Sequence, residues 1–173
     1  LKDIDNELAM IMSQAGLRVV FVGIESINPE SIKKTKRQNA PIDKQLSSIK
    51  ILEQNGISVK AMFIFGFPGD NFNNALKTIK YALTLPITYL QFSVFTPYPG
   101  TPIFSEYKNK ITAQNFEQYT QWDLVFNHEN LTKFDIKYLL DKSYKSFYSS
   151  FLRLLKIFYR ITKIELRKKF GLF

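Results

Sequence analysis

The sequence predicts an α/β fold, with parallel strands separated by helices forming part of a larger barrel over residues 1–107 and an α-helical extension over 108–173. Three observations predict it. First, three apolar segments run into polar or glycine-rich turns: VVFVGIES (19–26), ISVKAMFIFGFPGD (57–70) and ITYLQFSVFTPYPGT (87–101). Second, helix-length segments lie between them, which is what a chain needs to return to a sheet in the same direction. Third, the charge balance shifts: residues 1–107 carry 11 basic and 9 acidic groups, and 108–173 carry 13 and 6.

Each element has local signals. The order opens with a helix before the strand at 19–26. Asn28-Pro29-Glu30 starts the next helix, with Asn28 as N-cap, Pro29 in the first turn and Glu30 favourable to the helix dipole. Ile42, Leu46, Ile49 and Leu52 then recur at helical spacing until Asn55-Gly56, a C-cap signal. Asp70 or Asn71 starts a helix with Leu76, Ile79 and Leu83 inward and Pro86 as its stop. Residues 61–68 are apolar on both faces, as in a sheet covered by helices. Three strands cannot close a barrel, and alone they would leave two open edges.

Composition narrows the chemistry. The 173 residues are 45% apolar, enough for one core. The longest apolar run, 61–68, is far short of the roughly 18–20 residues of a membrane span. The N-terminus has no basic segment leading into an apolar stretch and does not begin with Met, so neither a secretion signal nor a complete gene product is expected. There is no cysteine, hence no disulfide and no thiolate ligand, and the lone His128 cannot build a metal site.

DNELAMIMSQAGLRVVFVGIES, KKTKRQNAPIDKQLSSIKILEQNGISV, FIFGFPGD and FSVFTPYPGTPIF, in this order, resemble the radical S-adenosylmethionine (radical SAM) enzymes. They are most like the members with an N-terminal cobalamin-binding domain. The resemblance covers about residues 1–107 and implies the later half of a radical SAM (β/α) barrel. The family's cysteine triad, which holds a [4Fe–4S] cluster, and any cobalamin-binding domain would lie upstream. The chain therefore reads as a fragment whose partner is the missing front half, inactive by itself. The implied cofactors are S-adenosylmethionine, the cluster, and cobalamin where that domain exists. The substrate is an unspecified organic molecule, and catalytic residues stay unassigned.

The resemblance also implies cofactor-binding residues. Glu25 matches the position that contacts the ribose or amino-acid portion of S-adenosylmethionine, where a carboxylate accepts charge-assisted hydrogen bonds. An N-cap or surface acid is the alternative. Arg37 matches a cation that grips the cofactor's carboxylate, although Lys33, Lys34 and Lys36 around it also describe a solvated basic helix end. Gly66, Phe67 and Pro68 form the turn under the adenine, with Asp70 where the family usually has Glu. Phe95 opens the segment that adds apolar contacts to the adenine. Gly66 and Gly69 with Pro68 would equally make a purely structural turn.

After residue 107 the signals thin out. Residues 111–130 contain Trp122 and His128, the latter a candidate substrate acid or base, or a capping histidine. Thr132 caps a long helix in which Arg153, Lys156, Arg160, Lys163 and Arg167 line one face and Phe147, Phe151, Leu154, Phe158 and Ile161 the other. Residues 142–173 hold nine basic groups and one acid. The segment is expected to dock its aromatic face on the barrel or to touch an anionic membrane surface as a peripheral contact. No groove-reading or stacking module accompanies it, so nucleic acid is not an expected partner. A cytoplasmic or membrane-surface location and, as the second function class, a noncatalytic interaction module complete the expectations.

Overall fold

Residues 3–34 and 41–169 are described in this computed structural model. In chain order they form α1 (Asn6–Gln14), β1 (Val19–Glu25), α2 (Pro29–Lys34), α3 (Ile42–Gln54), β2 (Ser58–Phe65), α4 (Phe72–Thr84), β3 (Tyr89–Val94), α5 (Pro102–Tyr107), α6 (Lys133–Tyr148) and α7 (Phe151–Lys169). Short polar side chains set the helix starts. Asp5 accepts from the Leu8 N–H at 2.8 Å, and Asn71 from the Asn74 N–H at 2.9 Å. Thr132 and Asp135 form a reciprocal capping box, and the Thr132 N–H and hydroxyl hold the Asp135 carboxyl below the usual carboxylate range. The chain leaves α3 through Gly56, which adopts φ +81° as the C-cap signal requires.

The three strands make one parallel sheet in the order β1-β2-β3. Alternation then divides it into two faces. Val22 and Ile24, Val59, Ala61, Phe63 and Phe65, and Leu90, Phe92 and Val94 are buried among Ile49 and Leu52 of α3, Ala75, Ile79 and Ala82 of α4, and Ile136, Leu139 and Phe147 of α6. Phe92 stacks on both Phe63 and Phe65, with ring centroids 5.0 and 4.4 Å away. The opposite face carries Phe21 and Glu25, Lys60, Met62 and Ile64, and Tyr89, Gln91 and Ser93, all partly or largely exposed. Phe21 is 63% exposed beneath the Lys60 ammonium. Helices thus cover one face of β2, not the two expected from its apolar run, and that strand ends at Phe65 with 66–70 as a turn.

The edge of β3 is sealed, a correction to the expectation of two open edges. The Tyr144 hydroxyl accepts from the Phe92 N–H at 3.1 Å and donates to the Phe92 carbonyl at 2.9 Å. Four residues on, the Tyr148 hydroxyl repeats the pattern on Leu90, at 3.0 and 2.9 Å. The Val94 N–H donates to the Gln121 carbonyl at 2.7 Å. The match is metric: an i, i+4 step on a helix advances about 6 Å and an i, i+2 step on a strand about 6.6 Å. Two phenols therefore satisfy the groups that a neighbouring strand would otherwise pair.

Tyr144→Phe should therefore leave an N–H and a carbonyl unpaired at this edge, costing about 1–3 kcal/mol in urea unfolding. Burial pushes the Tyr144 phenol above its ordinary pKa of 10.0, against the lowering effect of its bond to Phe92. A raised pKa means the folded state keeps the proton longer. The hydroxyl's contribution is thus complete below pH 10 and declines as pH rises through the folded value. Alkaline unfolding should be less steep in Tyr144→Phe than in the parent.

The long helix expected from Thr132 is two helices, α6 and α7, separated at Ser149-Ser150, with the Ser149 N–H donating back to the Lys145 carbonyl and the Leu154 N–H to the Ser150 carbonyl. The docking face of α7 is also the reverse of the one expected. Arg153 donates to the Leu83 carbonyl at 2.5 Å, Lys156 to the Pro86 carbonyl at 2.7 Å, and Arg160 to the Glu53 carbonyl at 2.6 Å. These carbonyls lie at or just beyond the C-terminal ends of α3 and α4, where unpaired acceptors and the helix dipole favour cations. Phe151 and Phe158, each 70% exposed, face outward with Leu152, Leu154, Leu155 and Ile161. Among the described residues no helix is long and apolar enough to cross a membrane.

Candidate functional site

The carboxyl ends of the three parallel strands bring together most of the residues singled out from the sequence. At the end of β1 the pairing with β2 slips, with Gly23 opposite Met62 and Glu25 opposite Phe63, so Ile24 is an extra residue. Glu25 follows at φ +69°, a left-handed conformation that costs a non-glycine residue on the order of 1–3 kcal/mol. The Ser26 N–H closes the turn on the Ile24 carbonyl at 2.9 Å. The Glu25 side chain lies over Gly23, where an added Cβ would sit 2.6 Å from its Oε1. Gly23 is therefore the space that this carboxylate occupies, a requirement the sequence reading did not identify. A glycine two residues before a glutamate at a strand end was the available signal.

The second strand ends in Gly66-Phe67-Pro68-Gly69-Asp70, with Gly66 at φ +81° and Gly69 at φ +85°. Asp70 is not the cap of α4; that role belongs to Asn71. Instead Asp70, 3% exposed, holds the turn together. Its Oδ2 accepts from the Gly66 and Phe67 N–H groups, both at 3.1 Å. Its Oδ1 accepts from the Ser31 hydroxyl at 2.5 Å and from Asn28 Nδ2 at 3.2 Å. Asn28 Nδ2 also donates to Ser31 Oγ at 2.8 Å, and Asn28 Oδ1 accepts from the Glu30 N–H at 3.2 Å, the capping contact expected of it. The turns after β1 and β2 are thus tied by one buried network.

A segment far along the chain clasps the same turn from its other side. Asn130 N–H donates to His128 Nδ1 at 3.1 Å, which leaves Nε2 to carry the ring proton toward the Phe67 carbonyl, also 3.1 Å away. Gly69 N–H donates to Glu129 Oε1 at 2.7 Å, and Asn130 Nδ2 donates to the Asp70 carbonyl at 3.2 Å. His128 has both ring nitrogens engaged and works as a brace. In this arrangement neither nitrogen is free to serve as the substrate acid or base.

Phe67 is 2% exposed, and its ring packs at 5.3 Å from that of Phe95. Phe95 meets Tyr107 and Phe126 edge-on, while its N–H donates to the Phe65 carbonyl at 2.8 Å. Burial raises the Tyr107 phenol pKa, and the nearby Glu129 and Glu106 carboxylates add to the shift. The structure therefore gathers Glu25, Gly66, Phe67, Pro68 and Phe95 on one edge, with the Phe67 ring turned into the core and Pro68 partly exposed. Arg37 lies outside the described residues. No group of three His, Asp or Glu side chains able to hold a metal occurs among the described residues.

Comparisons with known proteins agree with this architecture. The sequence profile of the Radical SAM superfamily matches residues 2–82. An uncharacterized methyltransferase of Pyrococcus horikoshii is 33% identical over 147 residues, covering 83% of this chain and 32% of that protein. The bacteriochlorophyllide d C-12(1)-methyltransferase of Chlorobaculum tepidum is 26% identical over 125 residues, covering 72% and 27%. The chain thus spans about a third or less of these relatives. In structure it is similar to the coproporphyrinogen III oxidase HemN of Escherichia coli, a radical SAM enzyme (TM-score 0.59, 15% identity, 86% of this chain and 30% of that one). It is also similar to the radical S-adenosylmethionine methyltransferase TsrM of Kitasatospora setae, solved with cobalamin and a [4Fe–4S] cluster (TM-score 0.54, 20% identity, 79% and 28%). At these identities the likeness shows the fold, a partial parallel barrel of radical SAM type.

Proposed function

Because residues 2–82 match the Radical SAM superfamily, we propose that this chain belongs to it and that the carboxyl edge of its three strands binds S-adenosylmethionine. The observation that carries this reading is Glu25, held in a left-handed conformation at a bulged strand end with its carboxylate over Gly23. Its carboxylate would accept from the ribose hydroxyls or the ammonium group of the cofactor. The turn at Gly66, Phe67 and Pro68 would lie along the adenine through its backbone, and Phe95 would back that wall. Arg37 is assigned to the cofactor's carboxylate from sequence alone.

The residues present fit S-adenosylmethionine in kind: a carboxylate for its hydroxyls or ammonium and glycine backbone for a flat base. S-adenosylmethionine, when reductively cleaved, supplies the 5′-deoxyadenosyl radical that removes a hydrogen atom from substrate. The chain's own part is to orient and shield. Its lack of cysteine leaves no thiolate donors for a [4Fe–4S] cluster, so that cluster is assigned to another part of the complete protein, and no residue here is assigned to cobalamin. Among the described residues β1 pairs only with β2, which leaves its other edge without a strand. We assign that edge to further barrel strands, with residues 1–107 as the cofactor-holding portion and 108–173 as the cover that seals β3.

For the complete protein we assign a radical SAM enzyme acting on an organic substrate, with methyl transfer as the reaction class carried by several relatives' names. The test is 5′-deoxyadenosine formation by the complete protein after reconstitution with iron and sulfide under reducing conditions. Glu25→Gln keeps the shape and removes the charge, and should lower turnover at subsaturating cofactor roughly tenfold or more. Product formation equal to that of the parent would remove Glu25 from the site.

A further inference from the structure

At the opposite end of the strands, about 20–25 Å from Glu25 by strand rise, α7 closes over a cavity of about 500 Å³. Arg18, Lys156, Arg160 and Lys163 line it, with Glu53 as the one carboxylate in the wall. Glu53 engages Lys156 at 3.1 Å and Arg160 at 3.2 Å. Arg18 spends one guanidinium nitrogen on the Ser13 and Leu17 carbonyls beyond α1, and Lys163 lies over the Tyr159 ring at 5.8 Å. Neither has a carboxylate within ion-pair distance among the described residues. The ends of α1 and α3 contribute about half a negative charge each. With Glu53 they offset about two of the four positive charges, so the cavity remains cationic.

A second observation is independent of that charge. Ser58 is fully buried in the wall, and its hydroxyl has no hydrogen-bond partner. Buried hydroxyls are ordinarily paired. An unpaired donor beside unmatched ammonium and guanidinium groups describes a place for an oxyanion. We propose that this cavity binds a phosphate-bearing anion, held by Arg18 and Lys163 with Ser58 behind them. The site lies at the foot of the sheet, away from the strand edge assigned to S-adenosylmethionine, and does not depend on that assignment.

The anion can be a soluble phosphate compound or the headgroup of a lipid, since the outward face of α7 beside the cavity is apolar. Calorimetric titration of the complete protein with pyrophosphate at low ionic strength tests the first source. Cosedimentation with phosphatidylcholine vesicles, with and without phosphatidylglycerol, tests the second. Saturable pyrophosphate binding should weaken roughly tenfold in Lys163→Ala and in Arg18→Ala, and stay unchanged in Lys110→Ala. Among the described residues Lys163 bears on the Tyr159 ring and on no carboxylate or backbone group, so its variant separates binding from folding should Arg18→Ala unfold. Capture only by phosphatidylglycerol vesicles, competed by pyrophosphate and reduced in Lys163→Ala, supports the same site with a lipid source. Absence of saturable binding to either probe, or binding indifferent to Lys163, overturns the proposal.

Discussion

Replacing Asp70 with alanine is expected to cost about 3–5 kcal/mol of folding stability, because it strands several buried donors at once. Four bonds end on this carboxylate: two backbone N–H groups from its own turn, the Ser31 hydroxyl and the Asn28 amide. Water reaches few of them, since Ser31 is fully buried and Asn28 is 8% exposed. Asp70→Asn should cost less, about 1–2 kcal/mol. Its remaining oxygen can keep the two backbone donors, and its amide can donate to Ser31 Oγ, which leaves the Ser31 hydroxyl proton and one Asn28 amide N–H without their acceptor. Urea unfolding followed by circular dichroism measures both. Near-equal costs for the two variants would mean that the charge, and not the count of acceptors, holds the turn.

Glu53→Ala is the second large effect, again about 3–5 kcal/mol, with a different structural consequence. The Glu53 side chain is 7% exposed and accepts from the Val59 N–H at 2.9 Å, the Thr88 hydroxyl at 2.8 Å, and the Lys156 and Arg160 cations. Its removal leaves a buried strand N–H unpaired and two cations facing the C-terminal ends of helices without their counter-ion. Because those cations dock α7, its release should accompany the loss of stability. Limited proteolysis should cut at Ser149-Ser150 well before the strands become accessible. Global unfolding without a preceding cleavage there would show that α7 is held by other contacts.

What the sequence made legible was local. Strands that alternate into glycine turns, Asn71 as one of two candidate caps, the Asn55-Gly56 stop and the Thr132 cap all follow from side chains acting within a few residues of themselves. The interactions that fix the site act across the chain. Asp70 meets Asn28 and Ser31 across 42 and 39 positions, and His128 reaches Phe67 across 61. Nothing in the spacing of GFPGD announces those partners, and capping was the reasonable local use of an aspartate before a helix.

The reversal of α7 has a similar cause. Periodicity separates its cations from its aromatic residues, but it does not say which face meets the protein. That choice is made by acceptors elsewhere: a buried carboxylate at Glu53 and carbonyls at Leu83 and Pro86 that need donors. The seal on β3 was within reach of the sequence. Tyr144 and Tyr148 stand four apart on a helix, the step that matches alternate residues of an edge strand, and their hydroxyls needed only that edge to bond.

Equilibrium dialysis of the complete protein with S-adenosylmethionine, comparing the parent with Glu25→Gln, measures the central assignment most directly. The parent should bind saturably, and Glu25→Gln should bind roughly tenfold to a hundredfold more weakly with an unchanged unfolding curve, the loss expected for charge-assisted hydrogen bonds from one carboxylate. Equal affinity in the two proteins, with the parent binding normally, would contradict the placement of the cofactor on the carboxyl edge of these strands.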